Sequence, residues 1–173
     1  MKYQLPFVLP HLLILLGAAG WAGCASSSTD GRAGGGTATV RFTQPEKYTD
    51  LQRSDTTAAE SRKVLLPIIE RCVQQEAARS LPPGQHLTVE FLDIDQAGWI
   101  RPTGPHRVRV VTDNRPARWV FKYDLRDASG TMLKTGQEAL VGFAGEQVAS
   151  ARDAEEMAAE KGLLREWIRR LAR

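Results

Sequence analysis

Cysteine and aromatic residues are scarce in this sequence. Only 2 of its 173 residues are cysteine, and aromatic residues make up 7% of the chain. Two cysteines exclude the disulfide-rich scaffolds that small secreted domains use when their hydrophobic core is too small. A chain of this length does not need such a scaffold, because a domain of ordinary size buries enough apolar surface to fold without disulfides or metal.

The sequence also lacks a strong excess of charge of one sign. Its 23 lysine and arginine residues stand against 20 aspartate and glutamate residues, which gives a formal net charge of +3. A nucleic-acid-binding protein needs a concentrated basic stripe and a recognisable binding motif. The sequence shows neither, so we predict no nucleic-acid partner.

No hydrophobic run in the N-terminal region is long enough to predict a transmembrane helix. The apolar stretch Leu5–Leu16 is short and interrupted by two prolines, whereas a membrane-spanning helix needs about 20 apolar residues. It follows Lys2 and precedes the small residues Gly17–Gly20. This order is typical of a signal peptide, which we predict, in its lipoprotein form, over residues 1–23.

Cys24 ends this region, in the sequence Gly20-Trp21-Ala22-Gly23-Cys24-Ala25. The sequence resembles a bacterial lipobox, whose cysteine carries diacylglycerol and a further acyl chain such as palmitate after cleavage. Because the next residue is Ala25 and not aspartate, the resemblance implies an outer-membrane lipoprotein that faces the periplasm. The alternatives are cleavage after Ala25, which gives a soluble periplasmic or secreted protein, and cleavage after Ala22, which leaves both cysteines in place.

The remainder of the chain divides into a linker and one domain. Residues 24–36 are rich in glycine and serine, which indicates a flexible tether. Residues 37–173 form a length typical of a single domain. Cys72 lies among apolar residues of this domain, and we predict a buried core thiol there, with a reactive thiol as the alternative.

The first half of the domain carries clear helix and strand patterns. Alternation over 37–43 predicts a strand. A capping box of Thr57 and Glu60 predicts the start of a helix, and apolar residues at helical spacing continue it to Ala77. Pro67 lies inside this pattern and predicts a kink or a second helix start.

The second half of the domain predicts four strands and a helix. The strands lie at 87–91, 107–111, 118–126 and 131–140, and the helix over 151–171, with Ser150 as its N-cap. The resulting order is β-α-β-β-β-β-α. We therefore predict an α+β fold, a two-layer sandwich in which two helices cover one face of an antiparallel sheet of about four to five strands.

Several short motifs carry a resemblance to a known family. They are Val40-x-Phe42, Pro45–Asp50, Leu81–Gln85, Leu92–Gly98, Tyr123–Asp127 and Gly136–Leu140. In this pattern the chain resembles the proteobacterial family of domain of unknown function 3016, whose members are small secreted proteins and predicted lipoproteins. The resemblance covers nearly all of the domain and implies no assigned activity. The architecture also resembles small outer-membrane assembly lipoproteins, such as lipopolysaccharide-assembly partners.

Asp93 and Asp95 are the best candidates for a metal site. At a spacing of two they share one face of a strand, where carboxylates bind divalent cations. The segment begins like a calcium loop, but it has Ala97 and Gly104 where that loop needs oxygen ligands. The alternative is that both aspartates accept backbone N–H groups and cap a turn.

His86 and His106 are the remaining candidates for metal ligands or a general base. Each flanks a predicted strand next to turn residues, so the alternative is an exposed loop histidine. No nucleophile elbow, zinc-protease motif or phosphate-binding loop is present in the sequence. With Asp93 and Asp95, the histidines would make a metal-dependent periplasmic enzyme, which we keep as the second functional hypothesis.

Five basic residues alternate with apolar residues on the predicted strands and are expected to line one solvent-exposed face of the sheet. They are Arg107, Arg109, Arg118, Lys122 and Arg126. Such a face would bind anionic lipid or an acidic envelope protein. The alternative is a solvated face whose charges are offset by Glu90, Asp124 and Glu138. The first functional hypothesis is therefore a non-catalytic binding or assembly module that needs no cofactor.

Overall fold

Strand β1 (Thr37–Phe42) and helix α1 (Ala58–Ser80) begin the folded domain in a computed structural model of the chain. The structure describes residues 35–112, 114–142 and 157–173. The predicted signal peptide, the lipidation site Cys24 and the predicted helix cap Ser150 lie outside these residues.

Five more strands and a second helix complete the described fold. They are β2 (His86–Asp95), β3 (Trp99–Thr103), β4 (His106–Val110), β5 (Ala117–Arg126), β6 (Met132–Gly142) and α2 (Ala158–Leu171). A short 3₁₀ turn, Pro45–Lys47, lies between β1 and α1. None of the described helices is long and apolar enough to cross a membrane.

Four of the strands form the main sheet, in the order β1-β2-β5-β6, and β3 and β4 form a separate two-stranded hairpin. The predicted α+β sandwich is therefore confirmed, with two differences in pairing. Strand β1 is parallel to β2, which makes the sheet mixed. The strand predicted at 107–111 belongs to the hairpin, where it pairs with β3, a strand that the sequence patterns did not reveal.

Helix α1 begins as its sequence predicts. The Thr57 hydroxyl accepts a hydrogen bond from the Glu60 backbone N–H at 3.2 Å, and the Glu60 carboxylate accepts one from the Thr57 backbone N–H at 2.9 Å. These two bonds satisfy backbone donors that have no partner inside the helix. The helix continues through Pro67 without interruption, so the predicted second start is wrong.

The two helices cover one face of the main sheet. Alternating residues of β2 and β5 point toward them, among them Phe91 and Phe121, which are fully buried. The Trp167 ring of α2 lies edge-on to the Phe121 ring, with the ring centroids 4.6 Å apart. Aromatic pairs prefer this geometry, and it positions α2 across β5. The predicted alternation of β5 is confirmed, because Trp119, Phe121 and Leu125 are all buried.

The beginning of α2 differs from the sequence prediction. Met157 has a φ of 62° and lies in the left-handed region immediately before the helix. A left-handed residue with a side chain interrupts a right-handed helix. The described helix therefore begins at Ala158, and residues 151–156 of the predicted helix lie outside the described residues.

The predicted tether ends earlier than its composition suggests. The Gly36 backbone N–H donates to the Leu81 carbonyl oxygen at 2.9 Å, and Gly36 is buried against the end of α1. A Cβ atom on Gly35 would lie 1.9 Å from the Ala78 carbonyl oxygen. Gly35 and Gly36 therefore belong to the folded domain, where the missing side chains permit close packing.

Cys72 is a buried, free thiol in the core, as predicted. Burial raises the pKa of this thiol, which disfavours the reactive thiolate.

We expect Cys72 to resist a maleimide reagent in the folded protein and to react after denaturation. Replacing Cys72 with serine is expected to cost about 1–3 kcal/mol of stability, because a hydroxyl would be buried among apolar groups. Rapid labelling of the native protein by maleimide would contradict the prediction that the Cys72 thiol is buried and unreactive.

Candidate functional site

The face of the main sheet that points away from the helices carries polar and charged side chains of both signs. On this face Lys122 lies directly opposite Glu90, and Arg118 lies directly opposite Asp95. Opposite charges in such positions interact across the strands. The open face is therefore mixed in charge and does not form a basic surface.

The structure does not bring the five predicted basic residues together. Arg118, Lys122 and Arg126 project from β5, while Arg107 and Arg109 lie on the separate hairpin. The prediction of a single face assumed that β4 and β5 are neighbours in one sheet. They are not neighbours, because β4 pairs with β3, so that part of the prediction is wrong.

Arg109 holds the hairpin to the segment that precedes α1 and to the turn after β2. Its Nη2 donates to both carboxylate oxygens of Asp50, at 2.8 and 2.9 Å, and to the Gln52 carbonyl oxygen at 2.7 Å. Its Nη1 donates to the Ala97 carbonyl oxygen at 3.0 Å. This multiple donation exploits the rigid guanidinium fork. Arg109 is therefore a structural clamp and is not available to an external anion.

Asp93 is engaged by the chain itself. One carboxylate oxygen accepts the Thr49 backbone N–H at 2.8 Å, and the other accepts the Thr49 hydroxyl at 2.9 Å. These bonds fix the segment after the 3₁₀ turn against the end of β2. Contrary to the prediction, Asp93 therefore does not cap a turn after β2, because it lies inside β2 and accepts both bonds from Thr49 of the segment before α1.

His86 lies at the opposite end of β2 from the predicted metal site. The His86 ring lies between the hydroxyls of Thr37 and Thr39, at 2.8 and 3.1 Å. His86 and Asp95 are the two ends of the ten-residue strand β2, a separation of about 30 Å at the usual rise per residue.

His106 lies at the tip of the hairpin, with its Nδ1 3.2 Å from the Asp55 carboxylate. Within the described ranges, no group of three or more histidine, cysteine, aspartate or glutamate side chains is arranged to hold a metal ion. The residues that the second hypothesis requires are therefore not brought together.

A cleft of about 240 Å³ lies at the Asp95 end of the open face. It forms between the end of β2, the start of β5 and the loop that joins the hairpin to β5. The polar groups that line it are Asp95, Gln96, Asn114, Arg115 and Arg118. We call this site the end cleft. It combines carboxylate, amide and guanidinium groups and is the best candidate for a binding site in the described part of the chain.

Asp95 has an unusual electrostatic environment in the end cleft. Burial raises the pKa of its carboxyl group, and the nearby negative charges of Asp50 and Asp93 raise it further, while Arg115 and Arg109 act in the opposite direction. The raised pKa means that ionised Asp95 costs the folded state free energy. A positive ligand group beside Asp95 would offset this cost.

Gln96 and Arg115 are the members of the end cleft that sequence reasoning missed. Gln96 is 6% exposed, and its Oε1 atom is buried with no hydrogen-bond partner among the described residues. The Arg115 guanidinium lies over the Trp99 ring, 5.8 Å from its centroid, a contact in which the ring attracts the cation. No periodicity marks either residue, because both lie outside the strands.

The comparisons with known proteins give a family but no activity. A family model described as "Protein of unknown function (DUF3016)" matches residues 36–170. No curated protein matches the chain. Among solved structures, the chain is similar to the crystal structure of a minor lipoprotein from Acinetobacter baumannii, with 6% identity, 82% of this chain and 91% of that chain covered, and a TM-score of 0.25. At this TM-score the similarity supports no argument about function.

Proposed function

We propose that this chain, which belongs to the DUF3016 family of proteins of unknown function, is a cell-envelope lipoprotein whose folded domain is a non-catalytic binding or assembly module. The family membership confirms the resemblance in the sequence motifs. It adds no activity, so the proposal depends on the N-terminal sequence and on the end cleft.

The proposed lipid anchor at Cys24 is supported by the N-terminal sequence. An apolar stretch leads to small residues and then to Cys24, followed by a segment rich in glycine and serine that leads to the folded domain. A lipid on Cys24 would hold the domain at a membrane surface, and more than one acyl chain is needed for stable anchoring. Because Ala25 follows the cysteine, we propose the outer membrane, with the domain in the periplasm.

The binding role is supported by one observation above all, the charged groups of both signs that line the end cleft, Asp95, Arg115 and Arg118. Hydrogen bonds to guanidinium and carboxylate groups are among the strong ones, so these groups would hold a small ligand of complementary charge. The residues of the alternative metal enzyme are engaged elsewhere, Asp93 by Thr49 and His86 by two threonines.

Acylation of Cys24 tests the anchor directly. Cells that express the wild-type chain with labelled palmitate are expected to label it, while the Cys24→Ser variant is expected to lose essentially all label and to leave the membrane fraction. The reason is that no other residue of the predicted lipobox offers a thiol.

Cys72→Ser is the matched control for this experiment, because Cys72 is the other cysteine of the chain and is buried in the core. It is expected to retain the label. Equal labelling of the wild type and Cys24→Ser would refute lipidation at Cys24, and the absence of label from both would favour ordinary signal-peptidase cleavage.

A further inference from the structure

The end cleft is lined by both hydrogen-bond donors and hydrogen-bond acceptors. The donors are the guanidinium groups of Arg115 and Arg118 and the amide nitrogen of Asn114, whose oxygen already accepts a bond from the Thr112 hydroxyl. The acceptors are the oxygens of the Asp95 carboxylate. A ligand that matches the end cleft must therefore carry both an acceptor and a donor.

The charged groups of the end cleft limit the kind of ligand that it can bind. A simple anion would meet the two guanidinium groups but would leave the Asp95 carboxylate opposed to it. A simple cation would meet Asp95 but would face Arg115 and Arg118. Arg118 is 54% exposed and its guanidinium lies 4.0 Å from the Asp93 carboxylate, a distance at which much of its hydrogen-bonding capacity stays available.

The size of the cleft further limits the ligands that it can bind. At about 240 Å³, the end cleft lies below the range of about 300–1,000 Å³ that holds drug-sized ligands. A guanidinium binds a carboxylate through two parallel hydrogen bonds. An ammonium group has three donors and no acceptor, which matches a carboxylate.

We propose that the end cleft binds a small zwitterion, a free amino acid or a dipeptide. Its carboxylate lies between Arg115 and Arg118, and its ammonium group lies at Asp95. This inference rests on the proposed binding role of the domain. It does not depend on the lipid anchor.

Thermal unfolding of the full chain, purified in detergent, tests the proposal with alanine and alanylalanine as the two probes. A ligand that binds only the folded state raises the Tm as its concentration increases. We expect at least one of the two probes to do so. A larger effect of alanine would indicate a free amino acid, and a larger effect of alanylalanine would indicate a dipeptide.

Blocked analogues test recognition of both ends. N-acetylalanine lacks the ammonium group and alaninamide lacks the carboxylate, so each is expected to bind at least tenfold more weakly than alanine. Analogues that bind as tightly as alanine would overturn two-ended recognition.

Variants of the end cleft test the assigned residues. Arg118→Met and Asp95→Asn are each expected to weaken binding of the better probe at least tenfold. Arg101→Met is the control, because Arg101 is an exposed arginine on the hairpin that does not line the cleft. Asp95→Asn is also expected to be at least as stable as the wild type at pH 7, because it removes a carboxylate whose ionised form the folded state disfavours. Its loss of binding would therefore not reflect unfolding.

Two results would overturn the proposal. One is a wild-type Tm that neither probe changes at any concentration. The other is equal binding by Arg118→Met, Asp95→Asn and Arg101→Met. Either result leaves the acylation of Cys24 untouched, and a failure of acylation leaves the binding measurement valid, so the two failures are distinguishable.

Discussion

Replacing Arg109 with methionine is expected to lower the free energy of unfolding by about 3 kcal/mol. Methionine keeps an unbranched apolar stem but removes every donor. The Arg109 side chain is 14% exposed and that of its partner Asp50 is 23% exposed, so the variant leaves a largely buried carboxylate without its ion pair. It also leaves the carbonyl oxygens of Gln52 and Ala97 without the bonds that Arg109 donates.

The magnitude follows from the burial of the pair. Removing one partner of a buried ion pair costs about 3–5 kcal/mol, because the other charge stays buried without compensation. Asp50 retains some contact with water, which favours the lower end of this range. Urea denaturation of the wild type and the variant, with a linear extrapolation to water, measures the difference.

Arg107→Met is the matched control, because Arg107 lies two residues away on the same strand and is exposed. Its backbone N–H donates to the Asp55 carboxylate at 2.6 Å, and a side-chain substitution preserves this bond. The control is expected to change stability by no more than about 0.5 kcal/mol. Equal effects of the two variants would show that Arg109 does not clamp the hairpin.

The contrast between these two arginines shows what sequence patterns cannot reveal. Both alternate with valines on one strand, and both therefore belonged to a predicted basic face. The partner of Arg109 lies 59 residues away along the chain. Periodicity indicates which side of a strand is apolar, but it does not indicate which strand or carboxylate lies beside it.

Local features of the fold, in contrast, were predictable from the sequence. The capping box of Thr57 and Glu60, the burial of Cys72 and the alternation of β5 all depend on residues that are close in sequence. Each is confirmed. Contacts between distant segments determine the parallel pairing of β1 with β2 and the separation of the β3–β4 hairpin from the main sheet. The parallel pairing was not anticipated. The separate hairpin contradicts the prediction that the strand at 107–111 belongs to the main sheet.

The end cleft was only partly visible in the sequence. Asp95 and Arg118 were both named as candidates, but for different sites, and the structure places them directly opposite each other. Gln96 and Arg115 carry no pattern of their own. Their place in the cleft depends on the loop after the hairpin, where the Gly98 backbone N–H donates to the Arg115 carbonyl oxygen at 2.9 Å.

Replacing Gly98 with alanine is expected to cost about 4 kcal/mol of stability, from strain in the backbone and a steric clash together. Gly98 has a φ of +77°, in the left-handed region that glycine adopts freely. A Cβ atom at this position would lie 2.0 Å from the Val110 carbonyl oxygen. Because that oxygen belongs to the backbone, a side-chain rotation does not relieve the clash, and the end of β4 must move.

Gly104→Ala separates the two causes. Gly104 lies in the turn between β3 and β4, with a φ of +59° and no atom within 4 Å of an added Cβ. It therefore carries the backbone strain without the clash, and its cost is expected to be about 1 kcal/mol. Urea denaturation of both variants measures the difference between them, which is the contribution of the close approach. Equal losses would mean that β4 shifts at little cost. A much larger loss for Gly98→Ala would show that this glycine fixes the hairpin against the loop that carries Arg115, and hence the shape of the end cleft.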